Sequence, residues 1–255
     1  MMRQLAEQSY FLLCRALGRL LRAGRYSRIR VACGDDPSGV RKQRLFHAPL
    51  LVWIGGPLMK ILDTGVRVLP QREWEERERA VYQVLHGRAI RTDADGTLVL
   101  PRLRGQSLAA LLDDRKLEES TRSKAIDLAV RSIADLHESG FTHGDAMAEN
   151  VMVDVEAGIA RWIDFETIHE WSRPVAWRRA DDVRALLATC LLRTAPVNLG
   201  ETLHFIVAVY GDEEVTRMLG ASFTSAFQRP LTFHLGQAGL SFRSFRAIGR
   251  LLQAS

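Results

Sequence analysis

Cysteine is nearly absent from this chain of 255 residues: Cys14, Cys33 and Cys190 are the only ones, with no CxxC pair and no metal-ligand spacing. A disulfide framework or a zinc–cysteine site is therefore not expected, and a reducing, cytoplasmic setting fits best. No uncharged apolar run reaches the roughly eighteen residues that a spanning helix needs. Lysine is scarce too. Of 35 basic residues only Lys42, Lys60, Lys116 and Lys124 are lysines, so arginine supplies the general positive charge and each lysine calls for its own explanation. Internal repeats and low-complexity segments are missing, as is any GxGxxG phosphate loop.

With 47% apolar and 25% charged residues, the chain can bury a sizeable core and build one bilobal domain or two small ones. Its net charge of +5 implies a solvated basic surface, with attraction to phosphate-bearing partners as a weaker inference. Nucleic acid is not expected as a partner, because no recognisable binding motif occurs. Near the start, Leu5, Phe11, Leu12, Leu13, Leu17, Leu20 and Leu21 recur at helical spacing, with Arg3, Arg15, Arg19, Arg22 and Arg25 between them. A basic amphipathic helix over residues 1–26 follows. It either packs on the domain or lies on an anionic lipid surface. A signal peptide is not expected, for want of an uninterrupted apolar core and a small-residue cleavage site.

From Arg28 to Leu62 the runs RIRVAC, VRKQRLF, LLVWI and PLMKIL, divided by GDDPSG and GG, read as antiparallel strands. Residues 71–86 switch to helical period, with Trp74, Glu78, Val81 and Leu85 on one face. A strand TLVLP, a connector from Pro101 to Gly105, a short helix SLAALLDD and a longer helix from Ser120 to Ser139 come next. NVMVD and ARWIDF form a hairpin through the turn VEAG, and helices follow from Ala180, with Pro196 and Pro230 as breaks. A ligand cleft is expected at the connector, between a lobe of residues 27–102 and one of residues 103–255.

The chemistry concentrates in HGDAMAEN, His143 to Asn150, and in IDFE, whose aspartate is Asp164. Phosphoryl transfer asks a protein to place a nucleophile in line and to neutralise charge on phosphate oxygens. Asp145, in a loop between helix and strand, suits orienting an acceptor hydroxyl and taking its proton. Asn150 and Asp164 offer hard oxygen ligands for magnesium around a nucleotide's phosphates.

The stretch LHESGFTHGDAMAENVMVD, followed by ARWIDFE, resembles the protein-kinase-like superfamily, whose HxD, asparagine five residues later, short strand and Asp-Phe stand in the same order. HGD is similar to RIO-type and Bud-type atypical kinases, aminoglycoside or choline phosphotransferases and lipopolysaccharide core kinases. The resemblance implies an α+β bilobal fold, with a small antiparallel N-lobe sheet carrying one helix and a mainly helical C-lobe. It implies Asp145, Lys60 and Asn150 as catalytic residues and Asn150 and Asp164 as magnesium ligands. Lys60, Glu78, Leu100 and Leu103 would bind ATP, with Glu78 rather than Glu76 or Glu75 pairing with Lys60, and His143 would support the loop. Lys60 is chosen from the apolar run LMKIL, where a buried ammonium needs an anionic partner. Asp181 or Asp182 would cap a helix and brace the catalytic loop. GDDPSG reads as a turn and leaves the phosphate loop unassigned.

Glu166 stands where that family has glycine after Asp-Phe, and no APE motif follows. The expected function is thus an ATP- and Mg²⁺-dependent kinase acting on a saccharide, lipopolysaccharide-like or other small-molecule hydroxyl. A RIO-like protein serine/threonine kinase and a pseudokinase scaffold are the alternatives. Arg173, Arg178 and Arg179 could meet an anionic acceptor, and the basic start suggests work at the inner face of the cytoplasmic membrane.

Overall fold

Residues 2–23, 27–31, 39–61, 63–194, 199–223 and 241–254 are described by the computed structural model. The GDDPSG turn before Gly39, Cys33 and the two proline breaks lie outside them. Strand β1 (Ser27–Val31) pairs antiparallel with β2 (Gly39–Arg44). Alternation along β2 turns Lys42 inward and Arg41 and Gln43 outward. The chain then forms helix α2 (Ala48–Ile61), a short strand β3 (Val66–Val68) and helix α3 (Gln71–His86). Strands β4 (Arg91–Thr92) and β5 (Leu98–Pro101) complete a sheet ordered β1-β2-β5-β4. Trp74 of α3 packs with Leu69, Tyr82, Ile90, Leu98 and Leu100 to form the core under this sheet.

α2 corrects two expectations. LLVWI and the PLMKI of PLMKIL are not strands but one helix, so the N-terminal lobe has a second helix besides α3. Short apolar runs carry no decisive period, and tertiary packing decides them. Here Val52 and Met59 lie against Val66 and Val68.

After the connector, β6 (Gln106–Ser107) leads into α4 (Leu108–Asp113), capped by the Ser107 hydroxyl, which accepts from the Ala110 N–H. Gly105 there has φ 98°, and a Cβ on it would collide with the Val153 carbonyl. α5 (Glu119–Glu138) buries Ile126, Ala129, Val130, Ile133 and Leu136, and it runs into the HGD loop. The hairpin β7 (Val151–Asp154) and β8 (Ile159–Trp162) follows, then β9 (Thr167–His169). Helices α6 (Val175–Leu191), α7 (Leu199–Tyr210), α8 (Glu213–Ser222) and α9 (Phe242–Ala254) finish the described chain. α1 (Met2–Ala23) packs on this lobe through Phe11, whose ring meets Phe242 and Phe245.

β3 pairs with β9, not with the N-terminal sheet. This ladder, the Arg77 guanidinium of α3 donating to the Thr142 carbonyl, and His86 Nε2 lying 3.1 Å from the Trp162 carbonyl set the two halves against each other.

Candidate active site

Lys42 is the buried cation of the cleft. Its side chain is 2% exposed, and Nζ lies 2.7 Å from Glu78 Oε1, 2.6 Å from Asp164 Oδ1 and 3.3 Å from Glu166 Oε1. Burial alone would lower its pKa, but the carboxylates of Asp164, Glu78 and Glu166 outweigh burial and hold it well above the usual lysine value. The Trp74 indole N–H donates to Glu78 Oε1 as well, and the Lys42 ammonium lies over the Trp74 ring. β2 thus supplies the lysine, α3 the glutamate, and the segment after β8 the aspartate.

Lys60 is not in this site. It lies on the exposed side of α2, near the end of that helix, and Lys42 occupies the place assigned to it. The apolar neighbours that suggested burial belong to a helix whose buried side carries Met59 instead. Glu78 is where its helical phase puts it, facing the lysine, while Glu75 and Glu76 pair with exposed Arg79 and Arg72.

Asp164 adopts φ 70°, a left-handed backbone unusual for aspartate. Such strain costs on the order of 1–3 kcal/mol and persists only where surrounding contacts impose it. Here Phe165 is fully buried, its ring 4.6 Å from that of His143, and the Ile163 carbonyl accepts from His143 Nε2 at 2.9 Å. The Lys42 ammonium also keeps the Asp164 carboxyl below its ordinary pKa, against the upward push of burial.

Asp145 is half-buried in the HGD loop. The Asn150 amide nitrogen donates to its backbone carbonyl at 2.8 Å and to its Oδ2 at 3.1 Å. Asn150 Oδ1 is consequently the atom left to face a hard cation. Gly144, between His143 and Asp145, has φ 83°, and a Cβ there would press on Thr167 Oγ1 at 3.1 Å and Ile168 N at 3.3 Å. Glycine in HGD is therefore a packing requirement.

The loop is hung on one buried carboxylate that the sequence placed only loosely. Asp182 Oδ2 accepts the His143 N–H at 2.7 Å and Oδ1 accepts the Gly144 N–H at 2.8 Å, while His137 Nε2 lies 3.0 Å from Oδ2. The Tyr210 hydroxyl is 2.8 Å from His137 Nδ1. Although burial opposes it, contact with His169, His137 and His143 pulls the Asp182 pKa down to about 2. Neither Asp181 nor Asp182 caps a helix. α6 begins at Val175, so both lie inside it, with Asp181 bound to Arg184 and to His169.

Residues 73–198, about half of the chain, match the family model "Lipopolysaccharide kinase (Kdo/WaaP) family". A stretch of 51 residues is 39% identical to serine/threonine-protein kinase 1 of African swine fever virus, covering 20% of this chain and 17% of that protein. Another of 62 residues is 37% identical to the MAP kinase kinase kinase SSK2 of Saccharomyces cerevisiae, covering 24% of this chain and 4% of that one. The chain is a protein-kinase-like protein. Since it spans so little of either relative, the likeness extends to the domain and not to those whole proteins.

In this kinase-like domain Leu100 is buried at the end of β5 and Leu103 half-buried in the connector, where the two lobes join. A cleft of about 400 Å³ beside Leu100 is lined also by Gly39, Ile90, Arg91, Val99 and Pro101. It contains none of Lys42, Asp145 or Asp164, so it borders the connector away from the chemistry. Among the described residues no group of three or more His, Cys, Asp or Glu side chains forms a metal cage unaided. A cation held by Asn150 and Asp164 would take its remaining ligands from phosphate and water, as magnesium commonly does.

His143 is neutral: burial lowers its pKa to about 4, its Nδ1 accepts the Asp145 N–H at 3.3 Å, and Nε2–H donates to Ile163. Below the ordinary imidazole range the unfolded chain takes a proton that the folded chain refuses until about pH 4. Stability is therefore expected to fall by about 3 kcal/mol between pH 7 and pH 4 from this group alone. Urea denaturation across that range should show the slope, and His143→Gln should remove that share of it. An unchanged slope in the variant would place the proton uptake elsewhere.

Proposed function

We propose that this protein is an ATP- and Mg²⁺-dependent phosphotransferase whose acceptor is a hydroxyl of a saccharide, lipid-linked sugar or other small molecule. The observation that carries the reading is the meeting of Lys42, Glu78 and Asp164 beside a loop that holds Asp145 and Asn150 together. These are the groups that phosphoryl transfer needs, drawn from four separate segments: β2, α3, the HGD loop and the stretch after β8. Their retention argues against a silent scaffold.

In the proposed reaction the Asp145 carboxylate orients the acceptor hydroxyl and takes its proton. The hydroxyl oxygen bonds to the γ-phosphorus as the bond to the β–γ bridging oxygen breaks, and ADP leaves with that electron pair. Lys42, steadied by Glu78, is placed to pair with phosphate oxygens. Magnesium, held by Asn150 and Asp164, would neutralise charge on those oxygens.

The saccharide-type acceptor is supported by the family match over residues 73–198. It also fits the short segment between Asp164 and α6, which leaves no room for a long activation loop. A RIO-like protein kinase is the second reading, favoured by the name of the viral relative. Of the three arginines considered for the acceptor, Arg173 is bound to Asp63, and Arg179 reaches the His137 carbonyl and Asp212. Arg178, stacked over the exposed Trp171 ring at 4.9 Å, is the better candidate to meet an anionic group. A cytoplasmic setting accompanies the proposal.

Asp145→Asn tests it, since the amide keeps the shape of the carboxylate but cannot take the proton. Transfer of phosphate from ATP to cell-fraction acceptors should fall about 100-fold or more, with nucleotide affinity unchanged. Equal transfer by wild type and variant would reject the assignment.

A further inference from the structure

The second face of α2 is apolar and uncovered. Leu50, Trp53, Ile54 and Pro57 stand at steps of three, one and three, which places them on one stripe, and all four are exposed. Trp53 is 74% exposed, and Phe46, in the turn just before the helix, is 95% exposed. Val52 and Met59 already cover the opposite side against β3. A helix that is apolar around its circumference is ordinarily buried all round. α2 also contains Gly55-Gly56-Pro57, among the poorest helix formers, so its own propensity does not explain why it is a helix. Packing of Val52 and Met59 against β3 holds one side of it, and the other apolar side is left for a second partner.

Charge indicates which partner. From Gly39 to Ile61 there is no acidic residue, and the exposed side of α2 carries Lys60; Lys42 is committed to the buried site and Arg41 to its ion pair with Asp93. The end of α2 is tied to the loop after β9 by the Asp63–Arg173 ion pair and by the Glu170 N–H, which donates to the Gly65 carbonyl at 2.8 Å. That loop presents Trp171, 72% exposed, beneath the Arg178 guanidinium, and exposed Val175 opens α6 beside it in sequence. Two exposed tryptophans, Trp53 on α2 and Trp171 under Arg178, next to an apolar helix stripe that bears Lys60 and no carboxylate, have the composition of a surface seated at the interface of an anionic bilayer.

We propose that α2 and the Trp171 loop together form a membrane-docking surface for anionic lipid, with α2 lying in the interface plane. α1 is packed on α9 through Phe11. Docked this way, the loop that follows Asp164 and β9 faces the headgroup layer. An acceptor carried on a lipid would then arrive beside the catalytic loop without leaving the bilayer.

The test is co-sedimentation of the full chain with phosphatidylcholine vesicles and with vesicles containing phosphatidylglycerol. Wild type should sediment with the anionic vesicles. The triple variant Leu50→Asp, Trp53→Asp, Ile54→Asp should bind at least about tenfold more weakly while its melting temperature and nucleotide affinity stay unchanged. As a second readout, lipids brominated along the acyl chain should quench tryptophan fluorescence, and Trp53→Phe and Trp171→Phe should each lose part of that quenching while still binding, the double variant most of it. Three results would overturn the proposal: wild type that ignores anionic vesicles, a triple variant that binds as wild type does, or a wild-type dimer that the triple variant abolishes. The last would assign the face to a second copy of the chain. None of these measurements needs ATP turnover, so failure here leaves the phosphotransferase reading to its own test.

Discussion

Lys42→Met is expected to lower phosphate transfer by about 100- to 1,000-fold, the usual cost of deleting one preorganised group that stabilises transition-state charge. Lys60→Met should leave transfer within about twofold, because Lys60 is an exposed residue of α2. The Lys42 variant should also be less stable. Its removal strands Glu78, which is fully buried, next to Asp164 and Glu166, and breaking a buried pair from one side costs roughly 3–5 kcal/mol. The two effects can be separated. A second change, Glu78→Gln, removes the stranded charge, so Lys42→Met with Glu78→Gln should recover much of the lost melting temperature and none of the lost transfer. Recovery of transfer in the double variant would show that Lys42 acts only as a structural counter-ion.

The second large effect is expected at Asp182, which touches no substrate in the proposed reaction. Asp182→Ala leaves the His143 and Gly144 N–H groups buried without their acceptor and removes the partner of His137. Stranding several buried donors should cost about 3–5 kcal/mol, and a chain of this size should melt roughly 10 °C lower. Transfer should fall as well, because the loop that aims Asp145 loses its anchor. Asp182→Asn keeps an accepting oxygen for one of the two N–H groups, so it should fall between wild type and alanine in both readouts. Acid provides an independent check on sign. A carboxyl held at about pH 2 contributes stability above its ordinary range, and that contribution disappears as pH drops toward 2. In Asp182→Ala this part of the acid transition should be missing. A melting temperature within about 2 °C of wild type would show that the loop holds itself.

The HGD loop and the hairpin after it were legible because their signals are local. His143 to Asn150 is contiguous, and VEAG is a turn by composition, occupying residues 155–158 between β7 and β8. Glu78 was legible because Trp74, Val81 and the glutamate share one helical phase. Lys42 was missed because Arg41, Gln43 and Arg44 make its neighbourhood look solvated, whereas the alternation of β2 puts it with Val40 on the side away from Arg41 and Gln43. The scarcity of lysine pointed equally to Lys42 and Lys60, and the apolar flanks of Lys60 decided wrongly. Those flanks form a helix whose partner, β3, is itself held by β9 from a hundred residues farther along the sequence. Contacts that distant leave no local trace. The same limit applies to Asp182, whose partners lie about forty residues upstream.

The ladder between β3 and β9 has a consequence for small-molecule inhibition. Leu69 N–H donates to the Glu166 carbonyl and Glu170 N–H to the Gly65 carbonyl, each at 2.8 Å, so the stretch just after Phe165 is fastened at both ends. A compound that works by expelling Phe165 from its place against His143 and opening a hydrophobic back pocket must first unzip that ladder. Compounds confined to the cleft between the lobes, where the proposed reaction would seat ATP, meet no such barrier. Selective ligands for this protein should therefore come from cleft-binding chemistry, and libraries built around the expelled-phenylalanine shape should yield few hits.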